Sequence, residues 1–228
     1  MSSLAQRLKT LKYLLKSFVL ARDPGLYWGA RRLVKGPLEA EIDLLGAFAD
    51  KSRVALDVGA NFGAWSYALS RSFGHCHAFE PQPRLASLLR RGQPAVTVHE
   101  VAVSDKPGRC TLRIPRRQLG RSTIERRNLL ADLSREPLDE VDVAMVRLDD
   151  LGFGDTVAFL KIDVEGHELE VLAGAAGLIE ASRPVVLVET EDRHCEGAPD
   201  AVRAMFRRLD YTNLAVGGRN LLLVPHGG

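Results

Sequence analysis

Two nucleotide-binding signatures are missing from this 228-residue sequence. It has no G-x-x-x-x-G-K-[ST] loop, which argues against nucleotide hydrolysis. It has no G-x-G-x-x-G either. The nearest stretch reads Asp57-x-Gly59-x-Asn61-x-Gly63, and the missing middle glycine disfavours a nicotinamide enzyme. Cysteine is scarce. Cys76, Cys110 and Cys195 stand far apart with no C-x-x-C, as expected of reduced thiols in a cytoplasmic protein. Every long apolar run is broken by charge before it reaches the length of a membrane span. The start, MSSLAQRLKTLKYLLKSFVL, lacks a clean apolar centre and a small-residue cleavage site, so it reads as neither span nor signal peptide.

What is present fits one α/β domain with a sizeable core: 46% hydrophobic and 26% charged residues in 228. The net charge of +2 hides an asymmetry, because eight of the 31 basic residues lie in the first 35, with Asp23 the one acid there. A basic end on an acidic body suggests a docking segment or a lid. The patch is too short to argue for nucleic acid. Leu4, Leu8, Leu11, Leu15 and Phe18 make a helical stripe opposite Arg7, Lys9, Lys12 and Lys16. Packing on the domain or on a second subunit accounts for it, and so does an anionic membrane surface. Asp23-Pro24-Gly25 ends this segment. A second helix is expected over Pro37–Ala49, with Leu38, Ile42, Leu45 and Phe48 on one face. Residues 1–52 thus read as an N-terminal helical extension and 53–228 as the main domain.

From residue 53 strand and helix alternate, which predicts a parallel sheet covered on both sides. Strands are expected near 53–58, 75–80, 96–101, 157–163, 184–189, 210–216 and 220–225, and helices near 63–73, 82–91, 167–181 and 198–208. The last two strands are joined through Gly217-Gly218, so the final one must run antiparallel. Residues 102–150 break the alternation. Cys110–Ile114 and Val141–Leu148 read as strands. Between Arg109 and Arg135 lie eight arginines against Glu125 and Asp132. This insertion could cover a substrate or be a solvated excursion.

Ligands of open α/β sheets sit at the carboxyl ends of the strands. The first strand ends at Asp57 and a glycine turn that lets the backbone approach a ligand, with a helix opening behind it. The second ends at Glu80, 23 residues after Asp57, close to the spacing at which a carboxylate meets ribose hydroxyls. The third ends around Ala102–Asp105, and the fourth at Asp163-Val164-Glu165-Gly166-His167. Together they outline a nucleoside pocket. An acid two residues before the first glycine suits a ligand with a cationic amino-acid end, such as S-adenosylmethionine.

LDVGANFGAWS, FEPQP, VAVSD, RLDDL at 147–151 and KIDVEGHELEVLAGA at 161–175, in that order over roughly residues 53–190, resemble the FkbM family of S-adenosylmethionine-dependent methyltransferases. The resemblance implies a class I methyltransferase fold: a seven-stranded, mostly parallel Rossmann-like sheet with a reversed last strand and helices on both faces. It implies that Asp57, Gly59, Ala60, Asn61 and Gly63 surround the methionine part and ribose. Glu80 would take the ribose hydroxyls, Pro81 would shape the adenine side, and Val103, Ser104 and Asp105 would lie along the adenine. It further implies O-methylation of a sugar, glycan or secondary metabolite.

Methyl transfer to an alcohol needs alignment and a nearby base. Alternation puts Lys161, Asp163 and Glu165 on one side, with His167 at a helix start. Asp163 is the first choice, as base or as anchor for the cofactor's amino group. Glu165 and His167 are the next bases. Helix capping would also explain Glu165 and His167, and an ion pair would explain Lys161. Asp163, Glu165, His167 and Glu189 would suit a divalent cation poorly, without an Asp-Asn pair, so no metal is expected. Glu189–His194 would face the acceptor or form a polar loop. His75, His77, His99 and His226 have no matching partners and read as structural or exposed. The rival readings are a nitrogen or protein acceptor, and a non-catalytic nucleoside-binding module.

Overall fold

The computed structural model of the chain describes residues 16, 18–35, 40–116, 119–125, 137–191, 196–216 and 219–227. Its centre is a seven-stranded sheet of β1 (Val54–Val58), β2 (His75–Phe79), β3 (Val96–His99), β7 (Val157–Ile162), β8 (Val185–Glu189), β9 (Tyr211–Ala215) and β10 (Asn220–Pro225). The strand order is β3-β2-β1-β7-β8-β10-β9. β10 runs antiparallel to both β8 and β9, so the reversed last strand expected from the short connection lies one place in from the edge. The connecting Gly217-Gly218 lies outside the described residues. The chain winds outward from β1 to β3, then returns to lay β7 on the other side of β1. That reversal opens a crevice between the ends of β1 and β7, where such sheets bind ligands.

Side-chain alternation explains both layers. Leu56, Val58, Leu160 and Ile162 point to one face and pack with Val171, Leu172, Ile179 and Phe206. Those residues come from α4 (Glu168–Ala173), α5 (Ala176–Ser182) and α6 (Ala198–Arg208). Ala55 and Phe159 point to the other face, against Trp65, Leu69 and Phe73 of α2 (Ala64–Ser72) and its C-terminal cap. The six residues of β7 are all buried, as a strand covered on both faces should be.

Four expectations need correcting. Pro37–Ala49 does not form an α-helix where it is described. Ala40–Ala47 is a 3-10 helix that still buries Leu45 and packs Ile42 and Phe48 on the core, while Leu38 lies outside the described residues. The helix expected over 167–181 is two helices. Gly174 sits so close to the chain at Ser104 that a Cβ would lie 2.0 Å from the Ser104 carbonyl oxygen, and Asp149 accepts the N–H groups of Gly177 and Leu178 at 3.3 and 2.9 Å. A carboxylate at the start of α5 satisfies N–H groups the broken helix leaves free. Phe18 does not share a buried stripe. It is 57% exposed under the Arg22 guanidinium, and Leu20 is buried instead, at 2%. Leu4, Leu8, Leu11 and Leu15 lie outside the described residues.

The fourth correction concerns the histidines. His77 Nδ1 and His99 Nε2 are 3.1 Å apart, His75 stands edge-on to His77, and Phe79 stacks on His99. His226 contacts Asp210 and Thr212. Parallel pairing of β2 and β3 brings the first three together. Burial, and then the charges of His75 and His99, push His77 down to about 4.

The insertion holds a second sheet, ordered β4-β6-β5, of β4 (Ala102–Val103), β5 (Gly108–Pro115) and β6 (Leu138–Val146). Its inner residues Ala102, Leu112, Ile114 and Val143 form their own small core. Residues 117–118 and 126–136, much of the arginine-rich stretch, lie outside the described residues. The N-terminal segment seats Leu20 and Trp28, the latter on α1 (Pro24–Lys35), against Leu85 and Leu88 of α3 (Pro83–Gly92).

Candidate functional site

The turn after β1 holds three left-handed residues in five: Gly59 (φ +83°), Asn61 (φ +53°) and Gly63 (φ +80°). Gly59 is required sterically as well. A Cβ there would lie 1.8 Å from the Asp163 carbonyl oxygen, so only glycine lets the ends of β1 and β7 approach. The Asp163 N–H bonds to the Val58 carbonyl at 3.0 Å, and the N–H groups of Gly59 and Ala60 both reach the Phe79 carbonyl. These bonds hold three strand ends around one crevice.

Glu80, 5% exposed, faces this turn. Its Oε2 accepts the Asn61 N–H at 2.7 Å and its Oε1 accepts the Gln82 N–H at 2.8 Å. Each carboxylate oxygen has a further lone pair for a ligand hydroxyl. Burial pushes its carboxyl up to about 7, against the opposing pull of the two amides. Asp57 is more deeply engaged. It is 1% exposed and accepts the Ser66 hydroxyl at 2.5 Å from the first turn of α2.

Two cavities adjoin the turn. The first is lined by Glu80, Pro81, Val101, Ala102 and Val103, with Gly120, Ser122, Thr123 and Ile124 of the insertion and Glu165 and His167 beyond β7. The second is lined by Asp57, Ala60, Phe62, Ala64, Trp65 and Lys161, with Lys16, Trp28 and Arg31 of the N-terminal segment. Gly59, Asn61 and Asp163 belong to both walls, so the two form one bent groove with these residues at its elbow. Asp163 Oδ2 lies 3.0 Å from Lys161 Nζ, whose side chain is buried. The ammonium keeps a negative charge at the elbow favourable.

The groove brings together most of the residues singled out from the sequence, but not all. Gly63 and Ser104 line neither cavity. Gly63 starts α2 and its carbonyl accepts from Gln93 Nε2 at 2.8 Å. Ser104 Oγ sits 3.0 Å from Asp105 Oδ1 and 2.9 Å from His167 Nε2. The other nitrogen of His167 lies 3.1 Å from Glu125 Oε2 and 3.6 Å from Glu170 Oε2. Donor atoms of Glu125, His167 and Glu170 fall within 4.8 Å of one another. Glu189 does not join them. It pairs with Arg219 at 3.2 Å, as does Glu191 at 2.8 Å, and residues 192–195 lie outside the described residues.

Sequence reasoning missed the contacts that stitch the insertion over the groove. Ser122 Oγ accepts from Gln82 Nε2 at 3.1 Å, Thr123 Oγ1 donates to the Glu165 carbonyl at 2.9 Å, and Asn61 Nδ2 reaches the Gly120 carbonyl. It also missed Lys16, Trp28 and Arg31. Their one signal was the basic character of the N-terminal segment.

The residues fit S-adenosylmethionine. Glu80 is a buried carboxylate with acceptor capacity left, on the wall of the mostly apolar cavity and bonded to Asn61 at the elbow that leads to the charged one; a ribose between an adenine and an amino-acid end would suit that position. The methyltransferase FkbM domain model matches residues 57–212 of this sequence, more than half of the chain. No curated protein matches it. Among solved structures, the methyltransferase FkbM from Methylobacillus flagellatus KT is similar, with a TM-score of 0.53 and 19% identity over 76% of this chain and 44% of that one. The chain therefore spans less than half the length of that protein. A TehB-like SAM-dependent methyltransferase from Corynebacterium glutamicum has a TM-score of 0.47 and 10% identity over 87% and 92% of the two chains. A Streptococcus mutans protein in complex with SAH has a TM-score of 0.46 and 14% identity over 83% and 97%.

Proposed function

This chain belongs to the methyltransferase FkbM family, and we propose that it moves the methyl group of S-adenosylmethionine to a hydroxyl oxygen of a small molecule, sugar or glycan. Methyltransfer is the activity of the family and S-adenosylmethionine its cofactor. When bound, the cofactor supplies a methyl already activated on a sulfonium. The observation that supports oxygen as the acceptor is at the elbow of the groove, where Asp163 borders both cavities beside Lys161.

In this reading Glu80 holds the ribose hydroxyls, with Gly59, Ala60 and Asn61 along the turn and Pro81 and Val103 on the adenine side. Asp57 faces the ammonium of the amino-acid end. These residues would hold the activated methyl group in reach of the acceptor oxygen, so the protein's part is alignment of the two. Asp163 takes the hydroxyl proton. Its position at the elbow suits it better than His167, whose two ring nitrogens are already engaged, or Glu165, which borders the first cavity only. Gly120, Ser122, Thr123 and Ile124 line the adenine side, which supports the insertion as a cover over the site.

Methyl-labelled S-adenosylmethionine, incubated with the protein and a panel of hydroxylated sugars and metabolites alongside their amino analogues, tests the reading. Label on oxygen supports it. Label confined to the amino analogues would replace it with nitrogen methylation.

A further inference from the structure

The second cavity carries more positive charge than its cofactor can answer. Among the described residues three cations line it, Lys16, Arg31 and Lys161, against two carboxylates, Asp57 and Asp163. Lys161 and Asp163 form a pair. Asp57 faces the expected ammonium of the cofactor. The amino-acid end of the cofactor is a zwitterion, so it leaves this balance unchanged, and the sulfonium adds one positive charge.

Lys16 and Arg31 come from the N-terminal segment, and among the described residues neither has a carboxylate partner. The Lys16 ammonium stands 3.1 Å from the centre of the Phe62 ring. Burial, and then the charge of Arg31, push Lys16 down to about 8. Two further features of the same wall favour an anion. The indole Nε1 of Trp28, 6% exposed, is buried without a hydrogen-bond partner among the described residues. The first turn of α2, through Ala64 and Trp65, borders the cavity with no acidic residue and no side-chain cap. A nine-residue helix start of this kind favours negative charge.

Resting on the methyl-transfer reading, we propose that Lys16 and Arg31 form a subsite for an oxyanion carried by the acceptor, a phosphate or carboxylate held beside the hydroxyl that is methylated. The acceptor class is therefore an anionic one, such as a sugar phosphate or a sugar acid. The anion would cancel the excess charge around the sulfonium.

The test uses the full chain saturated with S-adenosylhomocysteine and titrated with inorganic phosphate at fixed ionic strength, with chloride as the reference anion. Calorimetry and Tm are the readouts. The parent and Lys16→Arg are expected to bind phosphate saturably. Lys16→Met and Arg31→Met should bind it about tenfold more weakly or worse, as loss of a charge-assisted contact predicts. Their affinity for S-adenosylhomocysteine should stay within about twofold of the parent's, which also shows that they fold. Competition between phosphate and S-adenosylhomocysteine would overturn the proposal, because the two cations would then serve the cofactor's own carboxylate. An equal response to phosphate and chloride, or an unchanged response in both variants, would overturn it too. No binding of S-adenosylhomocysteine by the parent would overturn the methyl-transfer reading, and this subsite with it.

Discussion

Glu80→Gln separates the binding role of Glu80 from its structural one. In the native protein the two carboxylate oxygens accept the N–H groups of Asn61 and Gln82 at 2.7 and 2.8 Å. A glutamine has one carbonyl oxygen, so it keeps one of these bonds and turns an NH2 toward the other donor. That mismatch costs about 1–3 kcal/mol. The change also removes a buried carboxyl raised from 4.5 to about 7. Such a group favours folding below 4.5, and that contribution is lost as pH climbs to about 7. Removing it returns on the order of 3 kcal/mol at neutral pH. The two effects nearly cancel, so Tm at pH 8 should change by a few degrees at most. Binding should change far more. One acceptor for the ribose hydroxyls is lost, and a hydrogen bond to a charged group is worth about 1.5–3 kcal/mol, or roughly 10- to 150-fold in Kd for S-adenosylhomocysteine.

The pH dependence sharpens this prediction. Hydroxyl donors favour the ionised carboxylate, so affinity in the parent should rise as pH climbs through 7. In Glu80→Gln the rise should be markedly flatter. Calorimetric titration at several pH values reads both effects. A folded Glu80→Gln that binds S-adenosylhomocysteine within about twofold of the parent, with the same pH profile, would refute the ribose assignment.

Gly59→Ala should weaken S-adenosylhomocysteine more than about tenfold and lower Tm by several degrees, because a positive φ and a Cβ 1.8 Å from the Asp163 carbonyl oxygen force β1 and β7 apart. Calorimetry and a thermal melt check it. Asp163→Asn should lower kcat about 100-fold or more, as loss of a general base does, with a smaller change in cofactor affinity; single-turnover methyl transfer measures it. His77 titrates at about 4 in the folded chain against 6.5 unfolded. Its contribution to stability is therefore intact above 6.5 and lost as pH falls toward 4. His77→Gln should make the fall of Tm over that window shallower.

What could be read in the sequence was local or periodic. The strand runs, the glycine turn and the reversed final strand depend on spacing within a few residues. Glu80 stood out because a strand ended there at a fixed distance from Asp57. What escaped depends on register and long-range approach. His77 and His99 meet because β2 and β3 pair in parallel, and no motif encodes that pairing. The break at Gly174 comes from the chain at Ser104, some seventy residues earlier, and from Asp149, whose RLDDL motif is a cap for α5. The Pro37–Ala49 pattern of apolar spacing was satisfied by a 3-10 helix, since the same side chains reach the core with a tighter winding. His167 lay in a strong motif, yet its partners are Ser104, just past β4, and Glu125, in the loop that follows β5.

Calorimetric titration of the full chain with S-adenosylhomocysteine, with NAD in parallel, tests the central claim most directly. The groove predicts micromolar binding of S-adenosylhomocysteine and no heat from NAD. Binding of NAD alone would contradict it.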